Sequence, residues 1–241
     1  MSDKKILVTG VTGQLGYDVC RELTARGIEN LGIGSKQMDI TDENAVMTFV
    51  KEYNPDAIVH CAAWTAVDNA EDEENIQKVY SVNRDGAANM AKAAKAVNAE
   101  IFYISTDYVY SGEGTVPFTE ADEPAPVNIY GKSKYEGELA VKAETDNHYI
   151  LRISWVFGIN GKNFVKTMLN LSEKYSALRV VNDQIGSPTY TPDLARLIAD
   201  MLFSGKYGTY NATNGGEYIS WCDFAKEIFR QAGKNVEVTP V

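Results

Sequence analysis

Lys5-Ile6-Leu7-Val8-Thr9-Gly10-Val11-Thr12-Gly13-Gln14-Leu15-Gly16 reads as a strand that breaks into a glycine-spaced turn and reopens as a helix. Ile6, Leu7 and Val8 form a short apolar run of strand character. Gly10, Gly13 and Gly16 follow at the spacing G-x-x-G-x-x-G, with Val11, Thr12, Gln14 and Leu15 between them. A Cβ at Gly10 or Gly13 would hold a pyrophosphate away from the backbone amides. Gly16 lets the helix pack against the sheet, and the helix N-terminus faces the phosphates. Three glycines can also mark nothing more than a tight turn. Their place directly after a strand, opening an amphipathic helix near the N-terminus, favours a dinucleotide site.

Beyond this turn, strand-like and helix-like stretches alternate. Apolar runs recur at Ala57-Ile58-Val59, Ile101-Phe102-Tyr103-Ile104 and Tyr149-Ile150-Leu151-Arg152-Ile153. Between them lie helical patterns over roughly 14–26, 42–53, 72–97 and 130–145. Acids at Thr41-Asp42-Glu43 and Glu71-Asp72-Glu73-Glu74 suit helix starts, where they meet the macrodipole as a solvated first turn. Strands alternating with helices predict right-handed βαβ units and an α/β, Rossmann-type, doubly wound parallel sheet. After Trp155 the pattern loosens into a turn at 157–161, helices over 163–174, 193–203 and 221–232, and a strand at 178–181. The expected division is a dinucleotide-binding domain over 1–155 and a smaller, mainly substrate-binding lobe over 156–241, interleaved with the first.

Bulk properties narrow the partners. With 241 residues, 44% hydrophobic and 23% charged, the composition is that of a globular protein. A net charge of -10 argues against nucleic acid and against a polybasic membrane contact, while leaving room for a small anionic ligand. No apolar run reaches the ~20 residues needed to span a bilayer, and the first residues lack the apolar segment of a signal peptide. Cys20, Cys61 and Cys222 are few, odd in number and without metal-ligand spacing. Reduced thiols in a cytoplasmic protein are the simplest account, and no metal is expected.

The second informative pattern is Tyr130 and Lys134, one helical turn apart and therefore on one face, ~6 Å apart along the axis. A free tyrosine, with a pKa of ~10, carries protons poorly near neutrality. A neighbouring ammonium, helped by the positive charge of an oxidised nicotinamide, favours the phenolate and is expected to pull that pKa down. Thr106 ends a strand at the carboxyl edge of the sheet, where its hydroxyl can donate to the same oxygen and orient Tyr130. Tyr-x-x-x-Lys pairs arise often by chance on helix surfaces. Joined to the N-terminal glycines, this one points to hydride transfer with Tyr130, Lys134 and Thr106 as catalytic residues. After the second strand, Ile33-Gly34-Ser35-Lys36 holds no acid where one would grip a ribose 2′-hydroxyl. Ser35 and Lys36 suit a 2′-phosphate, so NADPH is expected to be preferred, with NADH use also open. The plain alternative for Lys36 is a solvated loop lysine.

These residues resemble the extended short-chain dehydrogenase/reductase superfamily and, within it, the dTDP-4-dehydrorhamnose reductase family. The resemblance runs from Ile6 to about Pro240. It is carried by Thr9 to Gly16, Met38-Asp39-Ile40-Thr41-Asp42, Cys61-Ala62-Ala63-Trp64-Thr65-Ala66-Val67-Asp68, Ser105-Thr106-Asp107-Tyr108-Val109, Tyr130-Gly131-Lys132-Ser133-Lys134 and Asn182 to Thr189. It implies that Asp39 and Ile40 border the adenine and that Ala62, Ala63 and Thr65 line the cofactor. It also implies that Lys134 binds the nicotinamide ribose, that Thr106 and Asp107 contact the sugar, and that Trp155 walls the sugar pocket. Dehydratases of the superfamily typically carry Thr-Asp-Glu, whereas the third position here is Tyr108, which favours simple reduction over elimination. The resemblance departs at Trp64, where the family more often has His or Tyr, and at Ser111, which replaces an acid. Family members also continue past the position of Val241, so a C-terminally truncated chain is expected.

The implied activity is reduction of the C4 ketone of dTDP-4-dehydro-L-rhamnose, a small nucleotide-sugar substrate, with a homodimer possible. Two rivals stand beside it. One is a reductase of another NDP-4-keto-6-deoxy sugar. The other is a regulatory dinucleotide-binding subunit resembling the β subunit of methionine adenosyltransferase.

Overall fold

In the computed structural model, which describes residues 4–241, the apolar run of the first strand is buried on both faces. Strand β1 (Lys5–Thr9) sends Ile6 and Val8 to one side of the sheet and Leu7 to the other, all three fully buried. Its neighbours are β2 (Glu29–Ile33) and β3 (Ala57–His60), followed by β4 (Glu100–Thr106), β5 (His148–Ile153) and, at the far edge, β10 (Gly208–Asn211). Every pairing in this six-stranded sheet is parallel, in the order β10-β5-β4-β3-β1-β2. The fold is the expected Rossmann-type α/β architecture. The order reverses between β1 and β3, so a crevice opens at their carboxyl ends.

Helices cover both faces. On one, Leu15, Val19 and Leu23 of α1 (Gln14–Ala25) pack with Leu194 and Ile198 of α7 (Thr191–Met201) over Ile6, Val8, Phe102 and Leu151. On the other lie α2 (Glu43–Tyr53), α4 (Gly86–Ala96) and α5 (Ile129–Glu144). There the small side chains Ala87, Ala91 and Ala94 bring α4 close to Leu7, Ile58 and Ile101. Asp42 caps α2 by accepting from Ala45 N at 3.0 Å. Glu71, exposed as the solvated reading expects, also accepts from Ile129 N at 2.7 Å through its Oε1 and so anchors the start of α5.

The helix expected over 72–97 runs from Glu73 to Ala96 with one π-helical segment inside it. After α3 (Glu73–Tyr80) the chain widens into a π turn at Ser81–Asp85 before α4 begins. Within the π turn Asn83 is buried and accepts from Trp64 N at 2.8 Å while donating to Trp64 O and to Ser133 Oγ. Its own carbonyl accepts from Tyr103 Oη at 3.1 Å. These bonds tie the π segment to the chain after β3, to β4 and to α5.

A third apolar cluster lies away from the sheet. Met168 of α6 (Phe164–Ser172) packs with Cys222, Phe224 and Phe229 of α8 (Trp221–Gln231), flanked by Trp155 and Trp221. Short ladders pair β6 (Val156–Phe157) with β9 (Thr189–Tyr190), β7 (Ala177–Val180) with β12 (Glu237–Pro240), and β8 (Ile185–Gly186) with β11 (Ile219–Ser220). No helix among the described residues is long and apolar enough to cross a membrane.

Candidate active site

The glycine turn is tighter than its motif alone requires. Gly10 has φ +71°, a left-handed value, and a Cβ there would stand 2.7 Å from Ala62 N. It is the backbone at the end of β3, beside β1, that demands glycine at position 10. Gly16 packs on the Gly10 carbonyl, where a Cβ would come within 2.5 Å. Helix α1 begins at Gln14 with no capping side chain, so its first amides are free to meet an anion.

A cleft of about 1100 Å³ runs from this turn along the carboxyl edge of the sheet. It is lined by Gly10, Thr12, Gly13, Gln14, Leu15, Ser35, Asp39, Ile40, Ala62, Ala63 and Thr65 at one end, and by Thr106, Asp107, Tyr130, Lys134 and Trp155 at the other. Three residues singled out in the sequence are not in this lining: Val11, whose side chain faces Gly32, Gly16, which serves helix packing, and Lys36, which is exposed. Two other cations do line it, Lys78 of α3 and Lys162 in the 157–163 loop. That loop is clamped onto the glycine turn. Asn160 Nδ2 donates to the carbonyls of Thr12 and Gly13 at 3.1 and 2.9 Å, and Asn163 Nδ2 donates to Gln14 Oε1 at 2.9 Å. The sequence marked 157–161 as a turn. Its asparagines were the only sign that it would close over a distant loop.

Helix α5 sets the reacting groups. Asn128 caps it through Gly131 N at 2.7 Å. Gly131 and Gly137 allow close approach to Tyr108 O on one side and to Tyr103 Oη and Asn83 O on the other. Tyr130 and Lys134 are consequently buried, 9% and 2% exposed, at the cleft wall. The Lys134 ammonium sits over the Tyr103 ring, 4.1 Å from its centroid, and has no hydrogen-bond acceptor among the described residues. Tyr108 packs edge-on against Tyr130, ring centroids 5.6 Å apart, at the position where a dehydratase would carry an acid.

Electrostatics in this pocket are governed by desolvation. Burial pushes the Tyr130 phenol well above its ordinary range, opposed in part by the Thr106 hydroxyl. The depression expected from the sequence draws on the ammonium and on the positive charge of an oxidised nicotinamide; among the protein's own groups, loss of water dominates. Burial likewise lowers Lys134 to about 7, with Glu138 resisting. Burial raises Asp107 to about 6, against the hydrogen bond that Thr106 Oγ1 donates to its Oδ1 at 3.0 Å. Under the cleft, burial holds His60 down at about 3; its Nδ1 lies 2.8 Å from Thr9 Oγ1, which accepts from Ala62 N.

Trp155 carries φ +45°, an uncommon value for so bulky a residue, and stacks on Trp221 with centroids 3.6 Å apart. Gly186 leaves the space for its indole. Trp155 therefore joins the end of β5 to the third apolar cluster and faces the cleft where the two meet.

A glycine turn at the switch point of a parallel sheet, opposite a buried tyrosine and lysine on one helix, defines the class: a dinucleotide-binding protein of the extended short-chain dehydrogenase/reductase type. The model of the family described as RmlD substrate binding domain matches residues 4–241, and the chain belongs to that family. The chain is 44% identical to the spore coat polysaccharide biosynthesis protein SpsK of Bacillus subtilis, over 98% of this chain and 82% of that protein. Among solved structures it is similar to a dTDP-4-dehydrorhamnose reductase from Clostridium acetobutylicum (46% identity, TM-score 0.95, 98% of this chain and 83% of that one). It is also similar to the dTDP-4-dehydrorhamnose reductase of Bacillus anthracis in complex with NADP (43% identity, TM-score 0.95, 99% and 85%).

Proposed function

We propose that this protein reduces the C4 ketone of dTDP-4-dehydro-L-rhamnose to dTDP-L-rhamnose with NADPH. The observation that carries the reading is a buried phenol beside a buried ammonium without a protein acceptor, in one cleft with an uncapped glycine turn. Similarity to two dTDP-4-dehydrorhamnose reductases, one solved with NADP, supports the substrate and the cofactor over a purely regulatory role.

The residues present fit a dinucleotide. Gly10 clears the approach to the turn, the α1 amides meet the diphosphate, and Lys134 offers its free donors to the nicotinamide ribose. The nicotinamide, when bound, supplies a hydride to the sugar C4. Tyr130 gives its proton to the C4 oxygen as charge gathers there. Its raised affinity for that proton keeps it in the donor form until the oxygen becomes more basic. The Lys134 ammonium then stabilises the phenolate that remains. Thr106 orders the ketone oxygen, Asp107 binds sugar hydroxyls, and Trp155 forms the wall against which the ring lies. The cluster around α6 and α8 serves as the smaller substrate lobe. Three free cysteines suit a cytoplasmic protein.

The test is NADPH oxidation by the purified protein with dTDP-4-dehydro-L-rhamnose. We expect turnover with that sugar, a lower kcat/KM with UDP- and GDP-linked analogues, and a higher kcat/KM with NADPH than with NADH. Oxidation no faster than without sugar would refute the reading. Lys162 sits beside the turn on an exposed loop, so Lys162→Ala is expected to weaken NADPH binding only about two- to fivefold. Calorimetry at two salt concentrations should show that this difference shrinks as salt screens it.

A further inference from the structure

Tyr130, Lys134 and Glu138 follow one another at four-residue spacing on α5, so their side chains rise from one face, each ~6 Å beyond the last. Glu138 stops short of the cleft and is 0% exposed. Arg152 of β5 holds it in a bidentate ion pair, Nε to Oε1 at 2.9 Å and Nη2 to Oε2 at 2.7 Å, and Ser105 Oγ donates to Oε1 at 2.5 Å. Arg152 and Ser105 are themselves register partners on β5 and β4, so the carboxylate is fixed from two strands.

The other ionisable groups around the Lys134 ammonium are Tyr130 on its own helix, Tyr103 on β4, and His60 and Cys61 at the end of β3. Burial pushes both phenols and the Cys61 thiol up and the His60 imidazole down to about 3, so all four are neutral near pH 7. Arg152 stands behind Glu138, its guanidinium engaged by Glu138 and by the Tyr110 hydroxyl at 2.8 Å. Among the described residues, Glu138 is thus the one charged group that favours a cation at position 134, while burial disfavours it. A hydrophobic pair would stabilise the interior as well as a buried ion pair does. Stability alone therefore gives no reason to keep a carboxylate one turn below the lysine.

We propose that Glu138, fixed by Arg152 and Ser105, is a positioning residue that keeps Lys134 in its ammonium form beneath the reacting centre. Its catalytic consequence rests on the reductase reading above, whereas its electrostatic content does not. As pH rises through the Lys134 midpoint, the cation that stabilises the phenolate is lost, so the alkaline limb of kcat follows that midpoint. Removing the Glu138 charge moves both to lower pH.

The experiment titrates Lys134 by NMR in protein with isotope-labelled lysine, the signal being assigned by its absence in Lys134→Arg. Wild type, Glu138→Gln, Glu138→Asp and the double variant Glu138→Leu/Arg152→Met are compared, and kcat is followed across pH in parallel. The double variant removes both charges together, so it tests the idea even where Glu138→Gln fails to fold. We expect the Lys134 midpoint to fall by about one pH unit or more in Glu138→Gln, where the Arg152 charge stays behind, and to fall by less in the double variant, where both charges go. Glu138→Asp, which keeps the charge, should retain most of the wild-type value. A midpoint left in place in the two charge-removing variants overturns the proposal, as does a Glu138→Asp shift as large as that of Glu138→Gln. Because the NMR readout needs no substrate, a protein that turns out to reduce some other ketone would still decide the question.

Discussion

Replacing Tyr130 by Phe is expected to lower kcat by about a thousandfold while leaving NADPH affinity nearly unchanged. The phenol is buried at the cleft wall, and the substitution removes one oxygen without changing the ring that packs edge-on against Tyr108 and contacts Ala70 and Val79. Folding should therefore survive. The loss falls on the step in which charge gathers on the ketone oxygen, the step to which Tyr130 gives its proton. Asp107, pushed up to about 6, lines the same cleft and is mostly ionised at neutral pH. The pH profile supplies a second readout. If Asp107 takes over, the residual activity of the variant should rise as pH falls through about 6, the range in which its carboxyl regains a proton. Steady-state kinetics and NADPH titration decide the matter, and a variant that keeps most of its turnover would remove Tyr130 from the chemistry.

What could be read from the chain follows the reach of each interaction. The turn from Thr9 to Gly16 was legible because its determinants are local: a strand, a left-handed glycine and a helix start lie within eight residues. The Tyr130–Lys134 spacing was legible because a helical turn fixes it. Strand β10 was not, since Gly208-Thr209-Tyr210-Asn211 has no apolar alternation and becomes a strand only by pairing with β5, some sixty residues earlier. The π segment at Ser81–Asp85 was hidden for a similar reason: Asn83 within it bonds to Trp64 and Ser133, which are near it only in space. Cations show the same limit. Lys36 was picked out by its place after the second strand, yet the lysines that line the cleft besides Lys134 are Lys78 and Lys162, brought there by α3 and by the clamped loop. The Tyr-Lys spacing showed which charge stands near the phenol, whereas the burial that opposes that charge could not be read from spacing.

Arg152→Ala is expected to cost about 3–5 kcal/mol of stability, among the largest effects available to a single substitution here. Nothing in the run Tyr149-Ile150-Leu151-Arg152-Ile153 marks this residue as more than a polar interruption in a buried strand. In the fold it joins four elements. Its guanidinium pairs with Glu138 of α5, while Ser105 of β4 binds the same carboxylate. Its third bond goes to Tyr110 Oη at 2.8 Å, and that hydroxyl donates to Asn211 Oδ1 of β10 at 2.9 Å. Truncation leaves Glu138 at 0% exposure without its ion-pair partner, the Ser105 hydroxyl being its remaining hydrogen-bond donor. Water entering the vacated space would recover part of the loss, which sets the lower bound of the range. For a chain of this length each kcal/mol corresponds to roughly 2–4 °C, so Tm should fall by about 6–20 °C. Glu138→Leu/Arg152→Met removes both charges and should lie much nearer the wild type, since a packed apolar pair replaces a matched ionic one at little cost. Thermal unfolding of the two proteins side by side checks the account. An Arg152→Ala protein within about 1 kcal/mol of wild type would show that the network is peripheral to stability. A double variant as unstable as the single one would show that shape, rather than stranded charge, is what Arg152 supplies.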